Sequence, residues 1–171
     1  MTVLADLAIR RPEELTLVPR PGTPGRVHDV TLPYTTPPLS ANDRHGGDIN
    51  ASGGTQAFYI VERRKQQAVA KVVATAVRAA RWPVIEGRVE ALLVYYLRNN
   101  GWADSDNIAP TMKPALDALR PPTRSRPYGL GLIPEDHSGV VRQTAQAVVQ
   151  KAEDPTPERG PRLRLLLVEV A

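Results

Sequence analysis

The stretch from Val84 to Arg98 constrains the fold of this chain more than any other feature. Apolar side chains alternate on both faces of a predicted strand: Val89, Ala91, Leu93, Tyr95 and Leu97 on one face, and Leu92, Val94 and Tyr96 on the other. A strand that is apolar on both faces is typical of the middle of a covered sheet. We therefore predict a central strand, whose tyrosines pack in the core and whose carboxyl end leads into an acidic stretch.

The composition limits the kinds of protein that can surround this strand. A length of 171 residues suits one domain with a hydrophobic core. The absence of cysteine excludes disulfides and thiolate metal sites, and the net charge of +4 favours a polyanionic partner. Neither an apolar run of about 18 residues nor a leader peptide is present, so we expect a soluble, cytoplasmic protein without a membrane partner.

Periodic segments predict the remaining elements. The clearest helix is predicted between Gln56 and Arg81, with an apolar face opposite a basic face that is either solvated or turned toward DNA. Strands are predicted from Arg26 to Leu32 and from Arg162 to Val170, whereas Val140 to Lys151 fits a strand or a helix equally well.

Proline marks the amino-terminal boundary of the domain. Residues 1–25 contain four prolines and no sustained period. This composition predicts a flexible N-terminal arm, followed by a domain of residues 26–171.

The acidic stretch after the central strand is the main candidate for a functional site. Asp104 and Asp106 are one residue apart in a predicted loop, so their carboxylates can converge on one cation. Mg²⁺ prefers a few carboxylate oxygens and leaves its other positions to water or phosphate. Asn107 is a candidate N-cap or near-cap for the next helix, and Pro110 fits its first turn. The stretch is either a magnesium site or a polar loop that caps a helix.

The predicted helix after the acidic stretch has a charged face and an apolar face. Lys113 and Asp117 stand four residues apart and share one face, while Met112, Leu116 and Leu119 point toward a core. The charged pair either serves a site that handles phosphate or forms an ordinary surface ion pair.

Two polar loops are candidates for contacts with nucleic acid. Asn42 and Arg44 lie in a segment rich in turn formers, and Arg124 and Arg126 lie in a basic loop between Arg120 and Gly129. The basic loop is predicted to be irregular and mobile, because prolines interrupt it and no apolar period runs through it. Either loop suits contacts with phosphates or a plain surface role.

Several motifs occur along the chain in a fixed order: Pro37-Pro38 with Asn42, Asp104-x-Asp106-Asn107, Pro110-Thr111-x-Lys113-x-x-x-Asp117-x-Leu119, and Pro134-Glu135-Asp136-x-Ser138. Together they resemble the RusA family of Holliday junction resolvases, especially the versions carried by phages and prophages of actinobacteria. The resemblance covers the chain from Val27 to its end. It implies a single α/β domain with a mixed β-sheet flanked by helices, a homodimer, and a strand between Val140 and Lys151.

The resemblance also implies roles for individual residues. Asp104, Asp106 and Asp136 match the metal-binding carboxylates of the family, and Lys113 matches its essential lysine. Supporting positions are expected at Asn107, Asp117 and Glu135, the last of which is usually aspartate in the family. Arg98 stands where the family has a run of arginines, and the candidate DNA contacts are therefore Asn42, Arg44, Arg98, Arg124 and Arg126.

The implied activity is Mg²⁺-dependent hydrolysis of phosphodiester bonds, with Mn²⁺ as a candidate substitute. The expected substrate is branched double-stranded DNA, above all a four-way junction, which a twofold dimer would cut by paired symmetric nicks during recombination and repair. The expected location is the cytoplasm of a bacterium or a phage-infected host cell. Two alternatives stay open: a protein of the same fold that binds branched DNA without cleaving it, and a broader flap or fork endonuclease.

Overall fold

The computed structural model describes residues 24–39, 54–97, 107–134, 136, 139–149 and 160–170. Within them, four strands and two helices follow one another: β1 (Pro24–Leu32), α1 (Gly54–Ala79), β2 (Arg88–Leu97), α2 (Ala109–Leu119), β3 (Val141–Val149) and β4 (Arg162–Val170). The segment that the pattern left open forms the strand β3, as the family resemblance implied. β1 begins two residues inside the predicted arm of residues 1–25, and the rest of that arm lies outside the described residues.

The four strands form one mixed sheet with the order β1-β4-β2-β3. β4 pairs antiparallel with β1 and β2, whereas β2 and β3 are parallel. The predicted central position of β2 is confirmed, since all its residues except Arg88 and Glu90 are buried. Its predicted start at Val84 is wrong, because the backbone N–H of Ile85 donates to the carbonyl of Leu132 and not to a neighbouring strand.

Both described helices pack on the same face of the sheet. The core on this face contains Val73 and Val77 from α1, Leu116 and Leu119 from α2, and Leu93 from β2. β2, α2 and β3 form a βαβ unit, in which the helix connects two parallel neighbouring strands. The protein is therefore a small single-domain α/β protein with a mixed sheet, as predicted, and its described helices cover one of the two faces.

The amphipathic pattern of α1 is confirmed between Val69 and Val77, whereas Val61 and Ala80, which the same period places on the apolar face, are exposed. Val69, Val73 and Val77 are buried at intervals of one helical turn. The basic residues named by the pattern are exposed: Arg63, Arg64, Lys65, Lys71, Arg78 and Arg81. Neither helix of the described chain combines the length and the apolar content that crossing a membrane requires.

The opposite face of the sheet carries a smaller apolar cluster, formed by Leu92, Val94, Tyr96, Leu166 and Val168. Arg164 forms an ion pair with Asp29 and donates a hydrogen bond from Nη1 to the hydroxyl of Tyr96 over 3.0 Å. The guanidinium of Arg162 lies 4.3 Å from the centre of the Tyr96 ring. Tyr95 is also buried. Both tyrosines therefore pack within the domain, as predicted.

Candidate functional site

α2 begins directly after the acidic stretch. Its N-cap is Ile108, which makes no side-chain cap hydrogen bond, so Asn107 lies directly before the N-cap, at the near-cap position that the prediction allowed. Ile108 is fully buried, so an apolar side chain occupies the N-cap position and packs in the core. Pro110 stands in the first turn, as predicted.

Lys113 lies between two carboxylates. Its Nζ is 3.9 Å from Oδ2 of Asp117, one turn further along α2, and 3.5 Å from Oδ2 of Asp136, which belongs to the connection between α2 and β3. The predicted common face of Lys113 and Asp117 is thereby confirmed. The Lys113 side chain is 70% exposed, whereas those of Asp117 and Asp136 are 23% and 17% exposed. An accessible ammonium therefore stands beside two recessed carboxylates.

Arg120 joins the same cluster, although the sequence did not single it out as a site residue. Its Nη1 lies 2.9 Å from Oδ1 of Asp136 and 3.4 Å from Oδ1 of Asp117, so one guanidinium bridges both carboxylates. The available signal was the spacing of three residues from Asp117 to Arg120, which places them on one helical face. The prolines after Arg120 made it resemble part of a loop, whereas it is the C-cap of α2.

Arg126 reaches the cluster from the loop that follows α2. Its Nη1 lies 3.2 Å from Oδ1 of Asp117, and its Nη2 donates to the carbonyl of Pro121 over 3.3 Å. Arg124 is exposed in the turn between Thr123 and Arg126. Of the two arginines predicted to contact DNA from this loop, the structure places Arg126 at the carboxylates and Arg124 in solvent.

The loop from Arg120 to Gly129 has a defined backbone, in contrast to the irregular course that its prolines and charges predicted. Thr123 and Arg126 exchange two backbone hydrogen bonds, and the N–H of Gly131 donates to the carbonyl of Arg120. Glycine is needed at position 129, because a Cβ there would lie 2.5 Å from the carbonyl oxygen of Arg120. Backbone contacts with the end of α2 therefore hold this loop in place.

Half of the predicted site residues lie outside the described part of the chain: Asn42, Arg44, Arg98, Asp104, Asp106 and Glu135. Their roles stay predictions. Within the described residues, no group of three or more histidine, aspartate or glutamate side chains is arranged to hold a metal ion. Of the three predicted metal ligands, only Asp136 lies within the described residues.

Asp136 fits the role of an oxygen ligand for a divalent cation. Its Oδ1 contacts Arg120 and its Oδ2 contacts Lys113. A carboxylate offers about four lone-pair sites, so these contacts leave capacity for coordination, and oxygen is the donor that Mg²⁺ prefers. A metal ion bound here would share this carboxylate with the cations of Lys113 and Arg120.

Comparisons with known proteins do not assign this site. No protein-family model matches the chain, and no curated protein matches it. Its function has to be inferred from the chemistry of the residues.

Proposed function

We propose that this protein is a Mg²⁺-dependent, structure-selective endonuclease that resolves four-way DNA junctions by paired nicks. The observation that carries the proposal is the meeting of Lys113 and Asp136 at 3.5 Å, although they belong to different segments of the chain. These are the described residues to which the RusA resemblance assigns an essential lysine and a metal-binding carboxylate. Their convergence supports the resemblance, because sequence spacing alone does not require it.

In the proposed mechanism, Asp104, Asp106 and Asp136 hold the metal ion. Mg²⁺, when bound, lowers the pKa of a coordinated water and stabilises charge on phosphate oxygens. The accessible ammonium of Lys113 offsets the charge that develops on the phosphate in the transition state. Arg120 contacts Asp136 and Asp117 together and so fixes the orientation of both carboxylates.

The proposed substrate is branched double-stranded DNA in the cytoplasm of a bacterium or a phage-infected cell. The exposed basic face of α1 supports a polyanionic partner, since lysines and arginines on one face attract the phosphate backbone. Two symmetric nicks require two equivalent sites, which a homodimer of RusA-like subunits would supply. Junction shape and backbone contacts would select the substrate.

The decisive experiment is cleavage of a labelled synthetic four-way junction, with and without Mg²⁺, by the wild-type protein and by Asp106→Asn. Products are resolved on a denaturing gel. Paired symmetric nicks that need both Mg²⁺ and Asp106 would establish the activity. In metal-free buffer, Asp106→Asn should keep or raise the melting temperature, because it relieves repulsion among the clustered carboxylates.

The other outcomes identify the competing functions. A junction that is retarded on a native gel but never cut would indicate a non-cleaving protein that binds or assembles on branched DNA. Equal cleavage of junctions, flaps and forks would indicate a broader endonuclease. A large loss of stability in Asp106→Asn would make Asp106 a structural residue.

A further inference from the structure

A polar cleft of about 150 Å³ lies between α1 and the loop that follows α2. Its polar lining comes from both elements: Arg63, Gln66 and Gln67 from α1, and Ser125, Arg126 and Tyr128 from the loop. Typical small-molecule sites have volumes of about 300–1,000 Å³. The cleft is therefore suited to a single phosphate-sized group rather than to a whole nucleotide cofactor.

The cleft carries positive charge, although Asp117 also lines it. The carboxylate of Asp117 lies 3.2 Å from Arg126, 3.4 Å from Arg120 and 3.9 Å from Lys113, so its charge is already offset. Arg63 is exposed and lines the cleft. Its charge is therefore available to an anion that enters the cleft.

Tyr128 adds a neutral hydrogen-bond donor to the cleft. Burial raises the pKa of Tyr128, the charge of Asp117 raises it further, and Arg126 and Arg63 act in the opposite direction. The phenol therefore keeps its proton at neutral pH, and both arginines stand close enough to influence it. Guanidinium, hydroxyl and amide groups are the donors that phosphate oxygens accept from.

We infer that this cleft binds a backbone phosphate of the DNA strand, at a position separate from the phosphate that is cut. The inference rests on the proposed function and adds a second contact to it. Asp117 lies between the two positions, because its Oδ1 contacts Arg126 in the cleft and its Oδ2 contacts Lys113 beside Asp136. A strand held in the cleft is thereby positioned relative to the ammonium of Lys113.

The test is the salt dependence of junction binding in EDTA, where cleavage cannot occur. Arg63→Gln removes one phosphate contact from an exposed helical position and leaves the core intact. It should weaken binding roughly tenfold at about 0.1 M salt and reduce the slope of log K against log salt by about 0.9. Arg63→Lys, which keeps the charge, should restore most of the affinity and the slope.

Arg142→Gln is the matched control. Arg142 is an exposed arginine of β3 that pairs with Glu90 on the opposite face of the sheet, so its replacement changes the net charge equally but spares the cleft. It should leave the slope unchanged.

Tyr128→Phe, which keeps the ring and removes the donor, should weaken binding several-fold without changing the slope.

Equal effects of Arg63→Gln and Arg142→Gln on affinity and slope would overturn the inference and leave the proposed function standing. The proposed function is tested separately, by cleavage in Mg²⁺ with the wild-type protein. If the wild-type protein binds the junction but does not cut it, the nuclease fails while the slope in EDTA still tests the cleft. If it does not bind the junction at all, both proposals fail.

Discussion

Asp117 is the carboxylate that contacts the largest number of cationic side chains in the candidate site. Its two oxygens contact cations from α2, from the C-cap of α2 and from the following loop. At 23% exposure it is neither a plain surface residue nor a fully buried charge. Its contacts join Lys113 of α2 to Arg126 of the following loop, which is the arrangement that the proposed supporting role of Asp117 needs.

Lys113→Ala tests whether the ammonium acts in turnover or in binding. We expect cleavage to fall by about 10²–10³-fold, the usual cost of losing one preorganised group that stabilises the transition state. Junction binding in EDTA should change far less. Stability should change by less than ~1 kcal/mol, because the ion pairs of this exposed side chain are solvated. Single-turnover cleavage and titration of labelled junction measure the two effects.

Arg142→Ala is the control for Lys113→Ala, because Arg142 is an exposed cation on the opposite face of the sheet, away from the carboxylate cluster and from the basic face of α1. It should leave cleavage within a few-fold of wild type. Equal losses of cleavage and binding in Lys113→Ala would reassign Lys113 to anchoring DNA.

Tyr96→Phe tests how the buried face of the sheet responds to pH. Burial raises the pKa of Tyr96, although the neighbouring arginines partly oppose this shift. The unfolded chain therefore loses this proton near pH 10, while the folded chain keeps it. The contribution of Tyr96 is fully present below pH 10 and is lost as the pH rises toward the folded-state pKa.

We therefore expect Tyr96→Phe to cost about 1–2 kcal/mol at pH 7, where it removes the hydrogen bond from Arg164. This difference from wild type should persist up to about pH 10 and shrink as the pH rises above it. Urea unfolding at several pH values measures it. If the difference stays constant as the pH rises above 10, the pKa of Tyr96 is not raised by folding.

At the scale of elements, Gly129→Ala tests how the loop is attached to α2. A Cβ at this position would meet backbone atoms of Arg120 and Pro121 at 2.5 and 2.9 Å, and these atoms cannot rotate away as a side chain can. We expect a loss of about 1–3 kcal/mol in the free energy of unfolding. Gly160→Ala is the control, because no heavy atom lies within 4 Å of its Cβ position. Similar urea midpoints for the two variants would show that the loop backbone can shift to accommodate a Cβ at little cost in stability.

The elements that could be predicted from the sequence are those with a strong apolar period. β4 was predicted with the correct bounds, and the buried faces of α1, α2 and β2 were also correct, because burial selects apolar residues at fixed intervals. β3 could not be assigned from its pattern, because its residues fit both periods, and the family resemblance decided it. The start of β2 depends on a hydrogen bond between Ile85 and Leu132, which no local pattern records.

The candidate site was predictable only in part, because some of its contacts join segments that are distant in the sequence. The four-residue spacing of Lys113 and Asp117 fixes their contact within one helix. The approach of Asp136 depends on the course of the connection between α2 and β3, and the bridging role of Arg120 depends on that approach. Contacts between segments follow from the fold rather than from spacing, so the sequence pattern alone did not identify Arg120.

At the scale of the whole molecule, the topology gathers the charges on the side of the sheet that the helices cover. Lys113 and Arg120 belong to α2 and its C-cap, and Arg63 belongs to α1, which packs against α2 on the same face. The opposite face buries Arg162 and Arg164 against Asp29 and Tyr96, and its exposed Arg142 pairs with Glu90. Under the proposed function, DNA would contact the helical side of the molecule, where accessible cations border the recessed carboxylates of Asp117 and Asp136.

The final prediction concerns cooperation between two subunits. A twofold dimer carries two equivalent sites, so a dimer with one inactive subunit should make one nick where the wild type makes two. Dimers of one wild-type and one Asp106→Asn subunit can be isolated with two different affinity tags and tested on a supercoiled plasmid that extrudes a cruciform. Paired nicks linearise this plasmid, whereas a single nick leaves an open circle.

We expect the mixed dimer to produce open circles at about half the wild-type rate of nicking, with almost no linear product. A doubly tagged wild-type dimer controls for the tags and should produce linear plasmid. If the mixed dimer also yields linear plasmid, one subunit cuts both strands in turn, and the symmetric two-site mechanism is wrong. If the two tagged chains do not co-purify, the protein is not a stable dimer, and paired cutting would require two subunits that meet only on the junction.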